Sequence, residues 1–261
     1  MFKTTSFGGE ERLYDAQNRP TQVTDAAGQA TVFTWDASGH LTRMRDPAGQ
    51  HLDVAYDAAG QPQAVTSPGG PATTYSYTSA GLVQSATDPL GHATTFTYDA
   101  AGRPTKVTLA SGASVQTDYD ATGKVTSITD VLGRVTSFSH DANGNVASRT
   151  FAPTSATTQY TYDAANRLVK MTDPLGGQSI TTYDADSNVQ SATDADGVKV
   201  SYEYDAAGRL SSVLDALGNR TQLSYDANGR LASVRDPLGR TSRFAYDAAG
   251  QPLEVTDPLG S

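Results

Sequence analysis

Aspartate is the residue in this chain best placed for chemistry: 24 occur in 261 residues, most of them three positions ahead of a glycine. Closely spaced carboxylates are the raw material of calcium sites. Asp184-Ala185-Asp186-Ser187-Asn188 opens like an EF-hand loop, but Val189 stands where that loop needs glycine and Ala195 where it needs a bidentate acid. The glycine-rich nonapeptide of calcium-binding β-rolls is missing, and the spacing of the aspartates does not suit that fold. The histidines offer no better site. His40 and His92 each follow a turn glycine, where other copies of the pattern carry Arg, Gln or Lys, and read as exposed variable positions. A Ser-His-Asp set could be assembled around His140 and Asp141 only on paper, because no nucleophile motif accompanies it. With no cysteine there is no thiolate chemistry and no disulfide. The expectation is a chain without catalytic residues, metal or cofactor.

The aspartates have a simpler use, visible once the elements around them are read. An aromatic-Asp pair or its variant returns every 21 residues, at Tyr14, Trp35, Tyr56, Tyr77, Tyr98, Tyr119, His140, Tyr162, Tyr183, Tyr204, Tyr225 and Tyr246, with a single step of 22 after His140. A fixed period of this size signals a repeat architecture, in which each supersecondary unit buries its apolar side only against its neighbours.

In the unit from Tyr225 to Tyr246 there are two turn signals, Asp226-Ala227-Asn228-Gly229 and Asp236-Pro237-Leu238-Gly239. Aspartate bonds its own backbone two residues on, proline presets φ, and glycine accepts φ > 0, so each signal predicts a type I turn closed by a left-handed residue. The first-turn glycine recurs as Gly39, Gly60, Gly81, Gly102, Gly123, Gly144, Gly208, Gly229 and Gly250, with Asn18 and Asn166 as tolerable substitutes and Ser187 as a poor one.

The runs between turns are rich in Thr, Val, Tyr and Phe and predict strands. Bulky residues two apart before each repeat tyrosine, such as Phe96/Tyr98 and Tyr202/Tyr204, share one face. The other strand carries apolar residues three apart, as in Leu231/Val234, which a regular strand cannot place on one face, so a bulge is expected there in every repeat. Pro20, Pro62, Pro104 and Pro252 at the first of these positions call for a site outside the hydrogen-bond ladder. The tyrosine column then reads as cross-strand packing.

Charge narrows the partners. The formal net charge of −9 opposes binding to phosphate backbones or to an anionic membrane surface. No apolar run approaches the 18 residues of a membrane-spanning helix, and the first residues lack the apolar core of a signal peptide. Neither nucleic-acid binding nor membrane insertion is expected.

Twelve repeats of two strands give an all-β chain of about 24 strands, a continuous antiparallel hairpin meander that curls into a spiral or open-barrel shell segment. Residues 1–13 form a partial strand and arm, and residues 14–261 the array, irregular at 140–161, where Phe151-Ala152-Pro153-Thr154-Ser155 replaces the Asp-Pro-Leu-Gly turn. Tyr98-Asp99-Ala100-Ala101-Gly102-Arg103 and Asp88-Pro89-Leu90-Gly91-His92 closely resemble the YD repeats of bacterial RHS proteins, which occur also in toxin-complex B and C subunits and in teneurins. That resemblance implies a spiral sheet forming a hollow shell around a toxic polypeptide, or presenting a surface for cell contact, in a bacterial parent that is secreted or surface-associated. The closing core region of such shells and a variable toxin tail have no counterpart here. Both ends look cut, which leads us to expect a shell excerpt with open strand edges prone to self-association. The alternative function is a module binding carbohydrate or a cell surface through regularly spaced aromatic residues.

Overall fold

The computed structural model describes residues 2–5 and 9–257, so the closing turn signal lies outside the described residues from Pro258 onward. Among the described residues there are 25 strands and no helix, and hence no helix long and apolar enough to cross a membrane. The first strand is β1 (Phe2–Thr5) and the last is β25 (Pro252–Thr256). The chain separates into two compact units. One runs to Asp118 and includes Ile128–Arg134; the other comprises Tyr119–Ser127 and the chain from Val135 on.

Within each unit, consecutive strands pair antiparallel and are joined by hairpins. In the first, β5 (Leu41–Arg45) pairs with β6 (His51–Tyr56), which pairs with β7 (Pro62–Thr66). The second unit repeats this arrangement, for example with Leu168–Thr172 between Ala156–Tyr162 and Gln178–Tyr183. Both hairpin ends use the same closure. Gly102 N–H donates to the Asp99 carbonyl (3.0 Å) and Asp99 N–H to the Arg103 carbonyl (3.0 Å); Gly91 and His92 close the other end on Asp88 at the same distances. This is a type I turn followed by a left-handed residue, with φ of +79° at Gly102 and +86° at Gly91. The non-glycine residues at this place obey the same geometry: Asn18, Asn166 and Ser187 have φ of 60°, 61° and 72°. The irregular connection places Ser155 at φ 54°.

The three-residue apolar spacing has a definite cause. Phe96 faces Val107, but Tyr98 faces Pro104, and the register slips by one residue between Thr97 and Tyr98. Thr105 is the extra residue, so Pro104 and Val107 end on the same side as Phe96 and Tyr98. The same slip precedes Tyr56, Tyr183, Tyr225 and Tyr246. One face thus collects the aromatic and aliphatic residues. The other collects hydroxyls, which pair across strands as in Ser76–Ser85 (2.7 Å), Ser139–Ser148 (2.6 Å) and Ser224–Ser233 (2.7 Å).

Among the described residues no hydrophobic residue is buried; only Ser191 and Ser212 are, at 4% and 3% exposure. Each unit is therefore a single layer, and its apolar face is half-covered by neighbours on the same face rather than by a second layer. At the second turns, Leu90, Leu132, Leu175, Leu217 and Leu238 project into solvent.

Candidate functional site

The chemistry-bearing residues converge on the first-turn edge, where Asp, Arg, Gly and Tyr of successive hairpins meet. In most of these turns one carboxylate oxygen of the aspartate accepts two backbone N–H groups. Asp99 Oδ1 takes those of Ala101 (2.9 Å) and Arg103 (3.0 Å). The other oxygen takes the side chain four residues on: Arg103 Nε donates to Asp99 Oδ2 at 2.6 Å. Arg19, Arg167, Arg209 and Arg230 repeat that pair with Asp15, Asp163, Asp205 and Asp226. Asn145 and Asn188 do the same as neutral donors.

These bonds favour the carboxylate form. The backbone N–H of the fourth residue holds Asp99 and Asp226 below the usual range, and the guanidinium is the leading cause at Asp163 and Asp205. Asp120 is pulled to about 2, first by the Thr122 hydroxyl and then by the Lys124 N–H. The carboxylates that suggested calcium are thus already engaged in their own turns. Asp184 bonds Asp186 N–H, Asn188 N–H and the Asn188 side chain. Among the described residues no three His, Asp or Glu side chains gather closely enough to hold a metal ion.

The same arginines reach the next repeat. Arg167 lies 4.5 Å from the Tyr183 ring centre, Arg209 4.5 Å from Tyr225, and Arg230 4.7 Å from Tyr246, within cation–π range. Arg19 Nη1 and Arg230 Nη1 also donate to the backbone carbonyls of Asp36 (3.2 Å) and Asp247 (3.1 Å). His40 occupies the equivalent place: its Nδ1 is 2.9 Å from Asp36 Oδ2 and its ring stacks 4.6 Å from that of Tyr56. The expectation that His40 is an exposed variable position is therefore corrected; stacking and pairing leave it half-buried, while His92 is exposed as expected.

Several first-turn glycines, among them Gly39, Gly60, Gly144, Gly229 and Gly250, sit beneath this cross-repeat side chain. A Cβ at Gly60 would stand 2.8 Å from His40 Nε2, and at Gly144 2.9 Å from Lys124 Cε. The position therefore combines a left-handed backbone, φ +80° at Gly60 and +93° at Gly144, with close approach of the preceding repeat.

The tyrosines complete the seam. Tyr56, Tyr77, Tyr98, Tyr183, Tyr204, Tyr225 and Tyr246 each donate a phenolic O–H to the carbonyl fifteen residues back, at 2.7–3.1 Å, as in Tyr98 to Val83 and Tyr225 to Leu210. Trp35 does the same with its indole N–H to Pro20 (2.8 Å). Among the described residues Tyr162 does not make the corresponding bond, and His140 lacks the hydroxyl. Packing alone was the expectation for this column. The bond to the preceding repeat was missed, as was the role of the residue following the turn glycine. Its signal was present in the sequence, in the recurrence of Arg19, Arg103, Arg167, Arg209 and Arg230 at one place in the repeat.

Comparison with known proteins agrees with this geometry. The RHS Repeat family model matches residues 14–51, 56–93, 77–114, 119–152, 141–178, 183–222 and 225–261. No curated protein matches the chain. Among solved structures, a crystal structure of TcdB2-TccC3-TEV superposes with a TM-score of 0.67 at 19% identity, over 95% of this chain. The Photorhabdus luminescens Tc holotoxin pore gives 0.66 at 19%, again over 95% of this chain. The chain spans 15% of the length of each of those chains. At that identity the likeness establishes the fold, and the matched repeats establish the lineage: this chain belongs to the RHS repeat family.

Proposed function

We propose that this chain is a stretch of structural wall, built as an array of twelve repeats, that encloses or presents a partner polypeptide and performs no catalysis of its own. The observation that carries the proposal is the seam. Hydroxyl and guanidinium groups of one repeat are spent on the backbone, ring or turn of the next, so the chemistry on this edge joins hairpins. A single layer of strands with bonded ladders is suited to act as a partition. The Tc toxin assemblies named by the structural relatives support the further reading of a secreted bacterial toxin complex with a polypeptide cargo. Self-association through sheet edges belongs to the same proposal, because unpaired backbone groups along an edge strand template pairing with another chain.

The test is protease protection in the parent protein. A polypeptide enclosed by the array should survive external protease, and become digestible when the seam is broken by removing its arginines and tyrosines together. Equal digestion of intact and disrupted parents overturns the enclosing role.

A further inference from the structure

Charge is segregated in this chain in a way the net value conceals. Eleven Lys and Arg against five Asp and Glu lie in strands, leaving eight against 23 in the connections and arms. The strands are thus net +6 and the rest net −15, which together return the −9 of the chain. The sheet is basic across its strands and acidic at its turns.

Four of the eleven strand cations, Lys199, Arg220, Arg235 and Arg243, share the hydroxyl face of the second unit across β20 (Lys199–Tyr204), β21 (Leu210–Leu214), β22 (Arg220–Tyr225), β23 (Leu231–Arg235) and β24 (Thr241–Tyr246). Register places Gln222 opposite Arg235, Arg235 opposite Thr241, and Ser233 opposite Arg243. Arg235 and Arg243 are therefore diagonal neighbours on one face. Both are exposed, and among the described residues neither has an ion pair or hydrogen bond. Arg220 differs, since Glu203 takes it bidentately at 2.5 and 3.1 Å, with Ser212 Oγ 3.0 Å away. A shallow depression of about 400 Å³ lies beside Arg235, lined also by Ser212, Gln222, Ser233, Thr241 and Glu203, whose carboxylate is taken up by Arg220.

We propose that this patch binds an acidic polypeptide segment, with Arg235 and Arg243 taking its carboxylates. A guanidinium fork matches a carboxylate bidentately. The surrounding hydroxyls and the Gln222 amide offer donors and acceptors to an extended backbone. Tyr202, Tyr204, Leu223, Tyr225, Phe244 and Tyr246 all alternate onto the opposite face, leaving this one without rings on which bases or sugars could stack. The acidic turns do not cancel the attraction. Asp236, which follows Arg235 directly, already accepts from Arg240 Nε (2.6 Å) and from the backbone N–H groups of Leu238 and Arg240, and Arg243 lies two residues inside its strand. Glu254, on the neighbouring strand Pro252–Thr256, is the nearby acidic group outside the patch; its partner is the Thr256 hydroxyl at 3.3 Å. The inference rests on this face alone and does not require the enclosing role proposed above.

Fluorescence anisotropy with labelled hexaglutamate, hexaglutamine and a single-stranded oligonucleotide tests it on the whole chain. Hexaglutamate should bind at least tenfold more tightly than hexaglutamine and weaken as NaCl rises from 0.15 to 0.5 M. R235Q/R243Q should lose tenfold or more, while K106Q, on a strand of the other unit, should bind as the parent does. Both substitutions are at exposed positions, and thermal melts confirm folding; the salt titration on the unaltered chain stands without either variant. Equal affinity for the two peptides, no binding at millimolar peptide, or unchanged affinity in R235Q/R243Q overturns the proposal. So does tighter binding of the oligonucleotide through the same arginines.

Discussion

Each tyrosine in the column carries two separable contributions, a ring and a hydroxyl. The ring packs on the apolar face and, in the second unit, receives a guanidinium from the repeat before it. The hydroxyl bonds a carbonyl that lies at the start of the preceding strand. Removing only the hydroxyl isolates the second contribution. Tyr225→Phe deletes a 2.8 Å bond to Leu210 O, beneath a cation–π contact with Arg209 that stays in place. A hydrogen bond of this kind contributes about 1 kcal/mol, and the orphaned carbonyl keeps partial access to water. The expected outcome is a melting temperature lower by about 2–4 °C for a chain of this size. Tyr162→Phe removes a hydroxyl that lacks the corresponding bond and should shift the melt by less than about 1 °C. Equal shifts for the two variants in parallel melts would show that the hydroxyl seam adds nothing beyond ring packing.

At the scale of the hairpin, the turn aspartates tie stability to pH. The carboxyls of Asp99, Asp163 and Asp205 are held below the ordinary value of 3.8 in the folded state, and that of Asp120 is pulled to about 2. A depressed pKa means stabilisation that is fully present above the unfolded value and is lost as pH falls through the folded one. Melting temperature should therefore hold steady from pH 7 to 5 and decline from about pH 4 toward 2. Thr122→Ala removes the leading cause at Asp120, so its carboxylate should titrate measurably higher by NMR in that variant. A melt unchanged down to pH 2, or an unmoved Asp120 titration, would refute the account. The hairpins themselves were legible in the sequence, because Asp, Pro and Gly report backbone dihedrals directly: Gly102 at +79° and Asn166 at 61° are local necessities. The bulge was legible too, since a three-residue spacing such as Leu231/Val234 admits few other strand geometries. The Arg209–Tyr225 contact was not. It joins residues 16 apart in different hairpins, and only the register brings them together. His40 was misread for the same reason, its burial coming from Tyr56 of the following repeat.

For the whole molecule, contacts that reach only the neighbouring repeat predict that length is adjustable in whole units and in no other step. Removing residues 183–203 joins Thr182 to Tyr204 and keeps every local relation. Arg167, now followed by Tyr204 at the separation it had from Tyr183, meets an equivalent ring, and Leu168 O meets an equivalent hydroxyl. The shortened chain should fold with an unchanged β-sheet spectrum and lose only the increment of one unit. Removing residues 189–198 takes out one strand with its following turn and leaves a chain nearly as long. It joins Asn188 to Lys199, however, so β20 must now run in the direction β19 (Val189–Thr193) had taken, and all later strands are reversed with it. At the junction two aromatic strands, Gln178–Tyr183 and β20, then lie side by side without the bulged strand between them, and the Val189 carbonyl that accepted the Tyr204 hydroxyl is gone. Circular dichroism and hydrogen exchange should show a cooperative fold for the 21-residue deletion and its loss, or a marked drop in protection beyond Asn188, for the 10-residue one. Two equally folded products would mean that register is set by each hairpin alone and that the seam between repeats does not specify the sheet.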